Sequence, residues 1–308
     1  MSTVRVAIVR GGPGGGFEAS LRNGSYLLSQ LPEGFEGFDI FVDKEGIWHE
    51  GGVPVSPERA LRHADVVLNA LHPDSVEAVD AYRALESFSV PYTGTRPLSA
   101  SLATHPLRSR ELLRKNGLRA PHSMEVKKGK KAAHEIALEL FRSFPMPSIV
   151  RAGKELWLAK DFHSLERALG EAFKDHETVL IEEHIAGKRA AVAVADEFRG
   201  KKHYAFFPME VAFDGTSERL LYPGTFSQEE KSMLGLAAHT AHQALGLRHY
   251  SRADFVVHPK RGVYLLSVNP FPSFADDGLF SDSLGLVGSN VPDFLKHVMS
   301  LARDKKER

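Results

Sequence analysis

LRHYSRADFVVHPKRGVYLLSVNPFP, residues 247–272, is the stretch from which the fold can be read. It predicts a strand over 251–258, a turn at Pro259, Lys260, Arg261 and Gly262, and a second strand over 263–269. Proline fixes φ and glycine tolerates positive φ, so these residues close a hairpin. Side chains alternate along a strand, which puts Arg252 and Asp254 on one face and Ala253 and Phe255 on the other. Ser267 and Asn269 share a face of the second strand. Pairing of the two strands gathers a cation, a carboxylate, a hydroxyl and an amide on one surface, a set able to hold Mg²⁺ and an anionic substrate.

Composition narrows the class. A chain of 308 residues can bury several cores, and 39 Lys+Arg against 39 Asp+Glu gives no net field for nucleic acid or an anionic membrane. There is no cysteine, which excludes disulfides, thiolate metal sites and cysteine nucleophiles and fits a reducing cytoplasm. The N-terminal apolar run lacks a small-residue cleavage site, and no stretch reaches the roughly 20 apolar residues of a membrane helix.

The hairpin resembles the metal-binding hairpin of the D-alanine–D-alanine ligases, members of the ATP-grasp superfamily. Their pattern is Arg-x-Asp-Phe, a turn, then Glu-Ile-Asn-Thr. Here it stands as Arg252-Ala253-Asp254-Phe255 and Ser267-Val268-Asn269-Pro270, with Ser267 where the family carries a metal-bridging glutamate. The resemblance continues in family order along the whole chain.

The first segment, 4–9, is a β-branched run expected of a buried parallel strand, followed by glycines 11, 12, 14, 15 and 16 and a helix over 17–31. These glycines do not follow dinucleotide-binding spacing, and a plain strand-to-helix turn reads as well as an anion site. The family motif matches at Glu18, Ser20 and Leu21, but its ammonium-binding glutamate falls at Gly16. Strands over 38–42 and 66–70, a helix over 75–87, and the matches Leu71-His72 and Val90-Pro91-Tyr92-Thr93-Gly94 predict a mainly parallel α/β sheet. His72 alone reads as well as a strand-end histidine.

A helical segment over 99–116, interrupted at Pro106, aligns with a family helix carrying phosphate-binding lysines; Pro106 and Arg110 stand at those positions. Arg110 also reads as a helix-surface arginine. Arg151 replaces the next lysine, and Gly153-Lys154-Glu155-Leu156-Trp157 replaces a longer serine-rich phosphate loop, which needs several small residues with converging N–H groups. Residues 179–185 resemble the adenine-binding linker at Glu182, Glu183 and Ile185, with Arg189 in place of the ribose-binding glutamate. The carboxylates read also as solvated strand ends. Strands over 190–194 and 203–211 lead almost directly to Tyr222-Pro223-Gly224, so the family's long lid is missing. A helix over 227–245 precedes the hairpin. After it, Ser273 supplies the backbone N–H of the family's oxyanion site, and Gly278-Leu279 stand where the family grips a substrate carboxylate.

The resemblance implies a three-subdomain ATP-grasp fold: an N-terminal parallel α/β domain (1–97), a central subdomain (98–183) and a C-terminal subdomain (184–308). It implies a cytoplasmic homodimer using ATP and Mg²⁺. By position it implies catalytic roles for Arg252, Ser273 and Ser20 and nucleotide contacts from Arg110, Arg151, Lys154, Glu182, Glu183 and Ile185. Asp254 and Asn269 would hold metal, and Glu18, His72 and Leu279 substrate. The replacements remove most of the electrostatic machinery on which phosphoryl transfer depends. The sequence thus reads as a degenerate ligase, kept to bind a small molecule or a protein partner. The alternative is an active carboxylate–amine ligase on amino-acid-like substrates, with a phosphate site rebuilt from Arg110, Arg151 and Lys154 beside Asp254. In the degenerate reading, side chains such as Trp157 and Arg189 fill the nucleotide cleft. A metal-independent binder is the third class.

Overall fold

A computed structural model describes residues 3–72, 76–88, 90–129, 131–153, 155–213, 218–275 and 278–304, with the backbone alone for 76–81. Its first sheet is built from β1 (Val4–Gly11), β2 (Phe35–Val42), β3 (Trp48–Glu50), β4 (Val53–Val55) and β5 (Val66–Asn69), in the order β4-β3-β2-β1-β5. β1 runs parallel to β2 and β5. Val6, Ala7, Ile8 and Val9 are all fully buried, as a strand covered on both faces requires. Their alternation sends Val6 and Ile8 into one core and Ala7 and Val9 into another. α1 (Phe17–Ser29), α2 (Pro57–Leu61) and α3 (Val76–Ser87) complete this region. Tyr92 adds a single parallel bridge to Val67.

The helical segment expected over 99–116 is two helices, α4 (Pro97–Thr104) and α5 (Pro106–Lys115). His105 between them has ψ 105° and accepts from Arg108 N–H, so Pro106 starts a new helix where its missing N–H costs nothing. A four-stranded sheet, ordered β6-β9-β7-β8, follows: β6 (Ser123–Lys127), β7 (Ser148–Ala152), β8 (Glu155–Ala159) and β9 (Thr178–Glu183). α6 (Ala133–Ser143) and α7 (Phe162–Asp175) pack against it through Ile136, Leu140, Leu165 and Leu169.

The third sheet orders β13-β12-β10-β14-β15, with β11 also on β10. Its strands are β10 (Lys188–Phe198), β11 (Lys201–Ala205), β12 (Met209–Phe213), β13 (Glu218–Leu221), β14 (Tyr250–His258) and β15 (Gly262–Asn269). The strand expected over 203–211 divides at Pro208, which has no N–H to give the ladder. α8 (Gln228–Ala244) covers one face; its Ser227 cap accepts from Glu230 N–H while Glu230 accepts from Ser227 N–H. α9 (Leu279–Leu286) and α10 (Val291–Arg303) supply Phe280, Leu284, Phe294 and Val298 to the core that also holds Val6 and Ile8. Among the described residues no helix is long and apolar enough to cross a membrane.

Candidate functional site

β14 and β15 pair with Arg252 opposite Asn269 and Asp254 opposite Ser267, so the four polar residues do share one surface. The Arg252 guanidinium donates to Asp254 Oδ1 at 2.8 Å, and Ser267 Oγ donates to Oδ2 at 3.2 Å. Burial pushes the Asp254 carboxyl up, against the pull of Arg252 and Ser267. Asn269 Oδ1 accepts the N–H of Phe271 at 2.8 Å. A bulge follows Asp254: Ser267 pairs with Asp254 and Leu265 with Phe255, so Leu266 is the extra residue. Its carbonyl accepts from Arg110 Nη2 at 3.2 Å.

Arg110 is therefore no helix-surface arginine. It is 7% exposed, ion-paired with Glu182 and hydrogen-bonded to Ser123 Oγ as well as to Leu266 O. Glu182, 4% exposed, also accepts from Arg151 Nε at 3.1 Å. The two cations aligned with phosphate ligands thus converge on one buried carboxylate, which reduces the charge they offer to an anion. Glu183 accepts from Arg261 Nη1 at 2.6 Å and from His122 N–H at 3.3 Å. Burial would raise its carboxyl, but these two donors hold it below the usual range. Ile185 is buried.

The loop expected to close over phosphates is a hairpin turn. Ala152 pairs with Glu155, leaving only residues 153–154 between the strands. Lys154 lies outside the described residues. Trp157 pairs with Val150 and packs with it against α6 and α7, so it does not plug the cleft. Arg189 reaches Glu218 at 2.7 Å. β13 pairs with β12, making a short hairpin at the position of the family lid.

At the N-terminal end, Gly16 is packed so that a Cβ would lie 2.5 Å from the His72 carbonyl oxygen. A glutamate there would need the His72 backbone to shift. The His72 ring stands edge-on to Phe271 at 6.4 Å. Glu18 is exposed in the first turn of α1. Ser20 is buried and bridges Gly11 N–H and Ala70 O, both at 2.8 Å, so its hydroxyl joins strand ends. Ser273 Oγ accepts from Ala275 N–H and contacts Asn23 Oδ1 at 3.5 Å. Leu279 is fully buried in the phenylalanine-rich core.

The donor set does not fit the two Mg²⁺ ions that the resemblance implies. One carboxylate is held by Arg252, the Asn269 oxygen faces a backbone N–H, and Ser267 gives a hydroxyl where bridging needs a carboxylate. The surface that the resemblance assigns to the nucleotide keeps a partial fit. Arg151 remains 44% exposed, and Leu156 and Leu158 expose 55% and 46% of their surface on the face of β8 opposite Trp157.

One constellation was not read from the sequence. Asp196, His203 and His242 bring their ligating atoms within 4.8 Å of one another. The register pairs Asp196 with His203 across the β10–β11 hairpin, on the face covered by α8. The signal was an Asp and a His with six residues between them, spanning a tight turn at Arg199 and Gly200, with a His-x-x-His pair on the long helix.

The match to known proteins follows the same order of elements. A curated D-alanine–D-alanine ligase of Moorella thermoacetica is 24% identical over 320 residues, covering 97% of this chain and 99% of its own. That of Halalkalibacterium halodurans is 26% identical over 323 residues, covering 98% and 100%. Among solved structures, the VanG D-Ala:D-Ser ligase of Enterococcus faecalis superposes with a TM-score of 0.82 at 20% identity, covering 97% of this chain and 99% of that one. The Bacillus anthracis D-alanine–D-alanine ligase complexed with ATP gives 0.77 at 21%, covering 99% of each. The fold is therefore the ATP-grasp ligase fold, of D-Ala-D-Ala ligase type. A model of the D-ala D-ala ligase C-terminus matches residues 112–300, more than half of the chain, and the chain belongs to that family.

Proposed function

We propose that this chain is a D-alanine–D-alanine ligase-like protein whose ligase chemistry is lost or strongly impaired, and whose scaffold serves binding of a small molecule or a protein partner. The observation that carries the reading is the convergence of Arg110 and Arg151 on buried Glu182, beside a phosphate loop reduced to residues 153–154. Phosphoryl transfer to a carboxylate is almost wholly electrostatic, so cations already neutralised by a protein carboxylate contribute little to the transition state. Loss of one such group commonly costs ~10²–10³ in rate. Here Ser267, Gly16 and Arg189 depart from the family pattern as well. A lid reduced to the β12–β13 hairpin would leave an acyl-phosphate open to water.

The alternative is an active ATP-dependent carboxylate–amine ligase making a D-alanyl-D-alanine-type dipeptide for peptidoglycan. It is favoured by the partial exposure of Arg151 and by the shared face of Arg252, Asp254 and Asn269. ATP would supply the activating phosphoryl group; Arg252 would orient an anionic oxygen beside Asp254. A cytoplasmic homodimer, as in the family resemblance, accompanies either reading.

Calorimetric titration with ATP, with and without Mg²⁺, followed by ADP release over D-alanine, separates the two. The expected result is weak or Mg²⁺-independent binding and no release above background. Tight Mg²⁺-dependent binding with amino-acid-stimulated release overturns the proposal in favour of the active ligase.

A further inference from the structure

We propose that Asp196, His203 and His242 form a binding site for a divalent transition-metal ion of the Zn²⁺ class, on the face of the C-terminal sheet away from the candidate nucleotide cleft. The sheet register separates the two. Ala191 and Ala193 of β10 lie opposite Asp254 and Arg252 of β14, whereas Val194 lies opposite Ser251. Alternation therefore puts Asp196, His203 and Ser251 under α8 and puts Arg252 and Asp254 on the other face. His242 enters from α8, one turn after His239.

The geometry fits a metal better than a completed hydrogen-bond network. Asp196 Oδ1 lies 2.7 Å from His203 Nδ1 and 3.0 Å from His242 Nε2. His242 is fully buried, yet its Nε2 makes no hydrogen bond of acceptable geometry in spite of that proximity. A buried ring nitrogen 3.0 Å from a carboxylate oxygen, but out of line for a hydrogen bond, is placed to share a metal ion with it. With metal–nitrogen distances of about 2.0–2.1 Å, tetrahedral ligands stand about 3.3 Å apart, so the two separations from Asp196 would open by about 0.6 and 0.3 Å. Two imidazoles and one carboxylate suit Zn²⁺, Fe²⁺ and their neighbours and not Mg²⁺ or Ca²⁺.

The surroundings have the form of an outer shell. His242 Nδ1 lies 2.7 Å from Ser251 Oγ, which fixes the ring with Nε2 toward Asp196. Asp196 Oδ2 accepts the N–H of His249 at 2.5 Å, and His297 Nε2 bonds the Asp196 carbonyl at 2.8 Å. The His203 ring stands 5.3 Å from that of His239, and the two histidines line a surface groove with Lys201 and Leu236. The groove lies beside His203, and Lys201 and Lys202 in its lining oppose a cation.

The test uses tag-free full-length protein stripped with EDTA and titrated with Co²⁺, followed by visible absorption and equilibrium dialysis. The expected result is one equivalent of Co²⁺ with d–d bands of low-symmetry N/O coordination, displaced by Zn²⁺. Loss of an outer-shell partner typically costs about 10–100-fold in affinity, so Ser251→Ala is expected to weaken binding by about tenfold or more, and the ligand change His203→Gln by more than about 100-fold. His134→Gln, on α6 and remote from the site, is expected to leave the spectrum unchanged. Absence of stoichiometric uptake by folded wild-type protein, or uptake indifferent to both His203→Gln and Ser251→Ala, overturns the site.

Discussion

Asp196 and Asp254 stand on opposite faces of one sheet, and their carboxyls are displaced in opposite directions. Burial would raise both. At Asp196 the imidazoles of His242 and His203, with the N–H of His249, overcome it and hold the carboxyl at about 2. At Asp254 burial prevails over Arg252 and Ser267, and the carboxyl is pushed up. The difference lies in the number and placement of donors, since among the described residues Asp254 has only Arg252 and the Ser267 hydroxyl in hydrogen-bond contact, with Arg189 acting from further off. The α8 face looks internally organised around its anion; the hairpin face keeps parts of a catalytic surface without the rest.

Four changes break or sharpen that contrast. The largest effect is expected from Glu182→Gln, which strips the counter-charge from Arg110 and Arg151. Leaving a buried charge uncompensated costs about 3–5 kcal/mol, measurable as a fall in the urea midpoint at pH 7. If the midpoint holds, the pairing is not structural and the two arginines are available to phosphate.

Asp196→Asn in chelator-treated protein comes next. A carboxyl lowered from 3.8 to about 2 contributes stability that is present above 3.8 and lost as pH falls toward 2. The expected loss is about 2 kcal/mol at pH 7, shrinking below pH 3 as wild type loses the same contribution. A constant difference across the acid limb of a pH series of thermal melts contradicts it.

Asp254→Asn should run the other way. For a raised carboxyl the favourable contribution is present below 3.8 and fades as pH rises through the folded value. The variant is expected to gain on wild type as pH rises between 3 and 7. A variant that loses ground over that interval would mean that the Arg252 pair, and not burial, governs the site.

The smallest effect is expected from Ser267→Glu, which returns the bridging carboxylate. ADP release should stay at background, because the two-residue turn, Gly16 and the Arg110–Glu182 pair are untouched. Recovery of release would show that one residue separates this chain from a working ligase.

Much of the hairpin surface was legible, since period-two alternation and the turn at Pro259–Gly262 leave few registers. The bulge after Asp254 was not, because it depends on how β15 meets β14; nor was the exposure it gives the Leu266 carbonyl to Arg110. Arg110 read equally well as surface, and only the meeting of α5, β9 and β15 made it buried. Trp157 was misplaced for a similar reason: the tight β7–β8 turn sets which side of β8 faces α6 and α7.

The sequence by itself determined the order of elements, the composition of the hairpin face and the departures at Gly16, Arg189 and Ser267, because these rest on local periodicity and residue chemistry. Tertiary structure alone decided which cations were already spent on Glu182 and that Asp196, His203 and His242 meet. Those contacts join residues 31 to 72 positions apart on separate elements, except for the Asp196–His203 pair, whose sheet register and covering helix still had to form before its face was defined.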